Sequence, residues 1–209
     1  MATLKTLKVR STFFRPLIMS NPQTVQISNS FAIIGRKLNS ELKAARKKGD
    51  EARMCELEKK QIRNDWEASS YWSETDNGFY LPDTIILAAI RAGGASGKKG
   101  KDIDRAVTLT EMRIPIVLPA SVKHKTAEQF FGDVQNFHMQ CPCKVPPKTG
   151  ALIWKCRCMM PTGSSVVFSC EFDNDVLAIQ SLKDILVAAG TIGMGGWRPK
   201  FGRFTVEFI

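Results

Sequence analysis

Residues 3–10 alternate, imperfectly, between apolar Leu4, Leu7 and Val9 and polar Lys5, Thr6, Lys8 and Arg10. That pattern suits a first strand running to about Phe14, which Pro16 ends or bends. Asn21-Pro22 marks a turn. From residue 30 to about 70 the apolar positions Ala32, Ile33, Leu38, Leu42, Ala45, Met54, Leu57, Ile62 and Trp66 follow helical spacing. Gly49-Asp50 interrupts them, which predicts two helices or a kinked hairpin. Asp76-Asn77-Gly78 reads as a turn. Pro82 then opens a helix over 82–92 that Gly93-Gly94 closes.

Further along, Ala95–Lys101 is a small, basic loop, and Ile103–Ala106 begins a short helix. Met112–Leu118 alternates as a strand, and Pro115 and Pro119 place it at a sheet edge. Residues 120–150 hold Gly132, Pro142, Pro146, Pro147 and Gly150 and read as irregular structure or an insertion. Leu152–Met160 and Ser165–Phe172 read as a strand pair around Pro161-Thr-Gly163. In the helix expected over 176–189, Leu182, Ile185, Leu186 and Ala189 share one face. Ser181 and Asp184 outline a capping box that would start it near 181 instead, and Gly190 suits its C-terminal cap. Phe201–Ile209 is the last strand. The order fits a β-α-β-β-α-β ferredoxin-like (RRM-like) α+β core, one domain over 1–209 with a helical insertion at about 30–75 and an irregular one at about 120–150.

Composition adds a direction. The chain has 209 residues, 44% hydrophobic and 24% charged, with a net charge of +10. An excess of cations suits nucleic acid or another polyanion, although a plainly basic surface has the same composition. Ten Lys/Arg lie between Arg36 and Arg63; a solvated helical face is the ordinary meaning of such a run. No run of eighteen apolar residues is present, and the N-terminus has no continuous apolar stretch of the secretory kind, so a cytoplasmic protein without membrane association is expected.

The last twenty residues concentrate the chemistry. Glycines at 190, 193, 195, 196 and 202 are interleaved with Arg198, Lys200 and Arg203 and with Trp197, Phe201 and Phe204. Small residues permit close approach of another backbone, cations suit phosphates, and aromatics suit stacked bases. Gly193, Gly195 and Gly196 are the candidates for contact through backbone amides. Arg198, Lys200 and Arg203 are the candidates for phosphates, and Trp197 and Phe201 for base stacking or for anchoring the loop. Lys98, Lys99 and Lys101 form a second patch. Lys155 and Arg157 share one face of their strand, to contact phosphates or simply water.

The segment Ile192-Gly-Met-Gly-Gly-Trp-Arg-Pro-Lys-Phe-Gly-Arg-Phe-Thr-Val206 resembles the C-terminal glycine-rich loop of the RAMP superfamily, the RRM-like proteins of CRISPR effector backbones. It is more similar still to a group of small phage and prophage proteins. Gly78–Arg91 resembles the proline-plus-helix element upstream in the same proteins. Trp197-Arg-Pro-Lys departs from the pattern, where Ser and Arg more often precede Phe-Gly. The resemblance implies single-stranded nucleic-acid binding, RNA ahead of DNA, homo-oligomeric side-by-side assembly along the strand, and a phage-encoded protein, for which the cytoplasm is that of the host cell. It also leaves open a host-defence or CRISPR-type protein partner, reached by an inhibitor that mimics a subunit.

Catalytic and metal readings are weaker. Of the two histidines, His124 and His138, neither sits in a motif, although some RAMP relatives cleave RNA with a histidine, which leaves a metal-independent ribonuclease as the alternative activity. Phosphate-loop, His-Glu-x-x-His and Gly-x-Ser-x-Gly motifs are absent from the sequence, and no cofactor is expected. Cys141-Pro-Cys143 and Cys156-Arg-Cys158 could supply four thiolates to zinc, but Cys-x-x-Cys turns are the commoner arrangement. Cys156 and Cys158 share a strand face with Trp154 and Met160, and Cys170 lies with Phe168 and Phe172, which favours buried thiols.

Overall fold

The computed structural model describes residues 3–144 and 152–209, with side chains at 141–144 and 152–153 excepted. In chain order the elements are β1 (Leu4–Phe13), β2 (Leu17–Ile18), α1 (Ser30–Lys48), α2 (Glu51–Ser69), β3 (Trp72–Ser73), β4 (Gly78–Pro82), α3 (Asp83–Ala95) and α4 (Gly100–Ala106). There follow β5 (Val107–Leu109), β6 (Arg113–Val117), α5 (Ala127–Gly132), α6 (Val134–Phe137), β7 (His138–Lys144), β8 (Leu152–Met160), β9 (Ser165–Asp173), α7 (Ile179–Ile192) and β10 (Phe204–Phe208). They divide into two compact units. The first comprises Met1–Ile18, Tyr71–Thr126 and Met160–Ile209, the second Met19–Ser70 and Ala127–Met159.

The first unit is an antiparallel sheet in the order β10-β1-β9-β6-β4-β3, with β5 also on β9. β1 pairs with β9 from Leu4↔Asp173 to Thr12↔Ser165 and with β10 from Val9↔Phe208 to Phe13↔Phe204. β5 and β6 both lie along β9, at Cys170–Phe172 and at Ser165–Val166, as one strand interrupted near residue 111. Taking β1, this interrupted strand, β9 and β10 as the four core strands, the spatial order is fourth, first, third, second. α3 and α7 are the two crossover helices. This is the expected ferredoxin-like α+β core.

Alternation decides the faces. Leu7, Val9 and Phe13 of β1 and Val166, Phe168, Cys170 and Phe172 of β9 are buried, while Lys8 and Arg10 are exposed. α3 buries Ile86, Ala89 and Ile90, and α7 buries Leu182, Ile185, Leu186 and Ala189. Gly93 and Gly94 do not end α3. They lie within it, and a Cβ on Gly93 would collide with the Ile185 carbonyl and stand 2.8 Å from the Ala189 nitrogen. The missing side chain therefore sets how closely α3 and α7 cross. Gly190 likewise lies inside α7, against the Phe204 carbonyl, and the helix runs on to Ile192. β6 is not an edge strand. Its Pro115 faces Tyr80 of β4, and β6 joins β9 only from Ile116 onward, so the proline never has to donate to two neighbours.

The second unit contains the expected helical hairpin. Asn29 Oδ1 accepts from the Phe31 N–H at 2.9 Å to start α1, Gly49 ends it at φ 68°, and Asp50 Oδ1 accepts from the Arg53 N–H at 3.0 Å to start α2. Leu38, Ala45 and Leu57 form its apolar seam, with Leu42 and Met54 packed against them. β7 and β8 pair antiparallel from His138↔Cys158 to Lys144↔Leu152. The expected strand pair around Pro161-Thr-Gly163 is therefore not a hairpin: β8 pairs with β7, while β9 pairs with β1, β5 and β6. Within the region read as irregular stand α5, α6 and β7; its residues 145–150 lie outside those described.

Candidate functional site

The loop from Gly193 to Arg203 is built by its own backbone. Gly193, at φ 92°, caps α7, and its N–H donates to the Ala189 carbonyl at 2.8 Å. Arg203 Nε donates to the Thr191 carbonyl at 2.7 Å, which satisfies another acceptor that the helix end leaves open. The Met194 N–H donates to the Gly202 carbonyl at 2.9 Å. Gly202 sits at φ 68°, where a side chain would run into the Met194 carbonyl, so only glycine closes this loop.

The base of the loop is fastened to the segment after β1. The Gly196 N–H donates to the Ile18 carbonyl at 2.9 Å and the Gly202 N–H to the Pro16 carbonyl at 2.8 Å. A Cβ on Gly195 would stand 2.5 Å from that same Ile18 oxygen. The glycines thus admit the chain's own backbone, and the amides of Gly193 and Gly196, expected to meet a ligand, are already engaged within the fold.

What remains exposed is the tip. Trp197, Arg198 and Lys200 are exposed, and Met194 beneath them is buried. Trp197 adopts φ 57°, a left-handed conformation that costs a residue with a Cβ roughly 1–2 kcal/mol. Its ring lies 6.4 Å from that of half-buried Phe201, and Lys200 Nζ is 5.7 Å from the Phe201 centroid. No ion pair joins Arg198 or Lys200 to another of the described residues. The Phe14 and Arg15 N–H groups both donate to the Arg203 carbonyl, at 3.0 and 3.3 Å, and both side chains are exposed. These two residues lie against Arg203, where the loop ends. Sequence reading passed over them because they come nearly two hundred positions earlier; only the β1–β10 pairing brings them there.

The other candidates stand apart from this tip in the chain. Lys98 (φ 57°) and Lys99 occupy the turn into α4 and Lys101 its first turn, and Lys99 Nζ lies 3.3 Å from Asp102. Lys155 and Arg157 belong to β8 in the second unit. Lys155 Nζ is 3.7 Å from Asp65 Oδ1. Burial holds the Asp65 carboxyl above its usual range, and Lys155, a hydrogen bond from Gln61 and Arg157 pull it back. These two cations therefore act as counter-charges to a buried acid.

Cys156, Cys158, Cys170 and Met160 are buried, whereas Trp154, on the same alternating face as the first two cysteines, is 71% exposed. Burial pushes the Cys158 thiol well up, and that of Cys170 up to about 12. No group of three metal-ligating side chains occurs among the described residues, and the side chains of Cys141 and Cys143 lie outside them. His138 is buried: Nε2–H donates to the Phe131 carbonyl at 2.8 Å, and Nδ1 lies 3.4 Å from Cys156 Sγ. Both ring nitrogens are held by the fold.

No family model and no curated protein matches the sequence. Among solved structures, one similar chain comes from a cryo-EM structure of the Type III-B Cmr-beta bound to cognate target RNA. The TM-score is 0.52 at 11% identity, covering 98% of this chain and 61% of that one. The chain thus spans about three-fifths of that neighbour's length, and the likeness is one of fold. No helix among the described residues is long and apolar enough to cross a membrane.

Proposed function

We propose that this chain is a non-catalytic protein that binds single-stranded nucleic acid, RNA in preference to DNA, with little regard to sequence. Copies assemble side by side along the strand, in the RAMP manner, in the cytoplasm of a host cell. The observation that carries the reading is the tip at Trp197–Lys200: two exposed cations with no ion pair among the described residues and a strained, exposed indole on a base locked by hydrogen bonds, with Phe14 and Arg15 against Arg203 where the loop ends. Cations track phosphates, and aromatic faces stack on any base. Strained residues of this kind gather at ligand clamps. The neighbour's likeness of fold, in a complex bound to RNA, agrees. The engagement of both His138 nitrogens speaks against that histidine as the base of a ribonuclease.

The test is light scattering of nuclease-treated protein with long single-stranded RNA or DNA across a salt series. Growth into long assemblies that dissolve with salt, stronger with RNA, is expected. A monomer indifferent to both would overturn the reading and favour the inhibitor that acts by protein contact on a host-defence complex.

A further inference from the structure

The second unit exposes apolar surface at two places on its helical hairpin. The first is a projection before α1, where Val25 and Ile27 are 80% and 74% exposed. The backbone that carries them is nevertheless fastened. Gln23 Nε2–H donates to the Ala68 carbonyl at 2.9 Å, the Asn29 N–H to the Gln26 carbonyl at 3.1 Å, and an Arg36 guanidinium N–H to the Ile27 carbonyl at 2.7 Å. Ile33 and Ile34 add two more exposed aliphatic side chains on the first turns of α1. Aliphatic groups clustered in water on a fastened backbone mark a contact surface. The second place is a cleft of about 360 Å³ between the hairpin and β8, with Leu42, Ile62 and exposed Trp154 in its lining. At about 3.6 residues per turn, Ile33, Ile34 and Lys37 lie on one flank of α1. Asn39, Leu42 and Arg46, which line the cleft, lie on nearly the opposite flank.

On opposite flanks of one helix, the projection and the cleft cannot meet within a single copy. Charge makes a second copy the occupant. Chains of net charge +10 repel one another, so they approach best where local charge is balanced or opposite. The first forty residues contain no Asp or Glu, and exposed Lys37 is the cation on the projecting flank. The cleft is balanced, with Arg46 and Lys155 against Asp65 and Glu58. Lys155 is already the partner of Asp65, whereas Glu58 is exposed and makes no ion pair with another described residue. We infer that the apolar projection of one copy seats in the cleft of the next, Ile27 and Ile33 against Trp154 and Leu42, with Lys37 beside Glu58. Because the contact joins two different patches, it does not close on itself and repeats from copy to copy. It rests on the reading above that copies assemble side by side, and it requires no nucleic acid to form.

Sedimentation analysis of nuclease-treated, nucleic-acid-free protein tests the contact. As concentration rises toward the millimolar range, the weight-average mass of the wild type should climb past that of a dimer. Ile27→Asp and Trp154→Glu, both at exposed positions, should each remain monomeric. Mixed in equal amounts they should form a dimer and go no further, because the mixture keeps one intact projection facing one intact cleft. A wild type that stays monomeric, or a mixture that does, would overturn the inference. So would a Trp154→Glu variant that still associates, since projections would then be meeting each other. Should circular dichroism show either variant unfolded, Val25→Asp replaces the first and Glu58→Lys the second. A fluorescein-labelled oligouridine short enough for one copy separates this contact from strand binding, and both variants should bind it as the wild type does. Association without oligouridine binding keeps the contact and removes the strand reading. Oligouridine binding without association removes the contact and keeps strand binding.

Discussion

Arg198 and Lys200 differ from Arg203 in a way that composition hides. All three were candidates for phosphate, but Arg203 Nε is committed to the Thr191 carbonyl, so its loss would loosen the loop as well as remove a charge. The informative variant is therefore Arg198→Ala with Lys200→Ala. It should fold as the wild type does and bind single strands more weakly. The slope of log affinity against log salt should fall in size by about 1.4, since each phosphate contact on a single strand contributes about 0.7. Salt titration of the affinity measures it, and an unchanged slope would remove the tip from the site. His138 supports a second prediction. Burial lowers its proton affinity, against upward pulls from the Phe131 carbonyl and Asp133, with Arg63 adding to the lowering. The unfolded chain then takes up the proton more readily than the native one. The contribution of this residue is whole above the ordinary imidazole pKa of about 6.5 and declines as pH falls from there toward the native value. Urea unfolding at several pH values should show wild type losing more stability on acidification than His138→Gln. Equal losses would mean that the ring is not held neutral.

The helices and strands of the core were legible where periodicity and local chemistry agree. The α7 stripe of Leu182, Ile185, Leu186 and Ala189 is buried as its spacing implies, and Gly49-Asp50 divides the hairpin as its turn chemistry implies. Misreadings arose where tertiary contact overrides a local signal. A glycine near the end of a helical pattern suggests a cap, but Gly93 and Gly190 are small because another backbone lies against them. Two strands joined by Pro-Thr-Gly suggest a hairpin, but β8 and β9 find partners far away in the chain. The helix crossing gives a direct check. Gly93→Ala raises helix propensity, which in an open position would stabilise by roughly 0.5–1 kcal/mol. Here the new methyl meets the Ile185 carbonyl and the Ala189 nitrogen, both main-chain atoms that move only with the helix. A net loss of about 1–3 kcal/mol in chemical denaturation is expected from overpacking. A stability gain would show that the two helices are not in this close contact.

At the scale of the whole molecule, charge was the most legible property and the least specific. A net charge of +10 attracts any polyanion from a distance. It does not say where one is held. The candidate site could not be completed from sequence for the same reason: Phe14 and Arg15 reach Arg203, at the end of the loop, through sheet register. Field and site can be separated by experiment. Lys47 and Lys48 end α1, are exposed, and make no ion pair with another described residue. Neutralising both with Lys47→Gln and Lys48→Gln lowers the overall charge without touching the loop. If these residues act only through the field, association with a single strand should slow at low salt, where the Debye length is about 30 Å at 0.01 M. The difference should close toward 1 M, where it is about 3 Å, and dissociation should stay as in the wild type throughout. Removing Arg198 and Lys200 should instead speed dissociation, because direct contacts are lost. Stopped-flow association and dissociation rates across the salt range distinguish the two. Faster dissociation in the α1 variant would place the hairpin's basic face in contact with the strand and extend the site to the second unit.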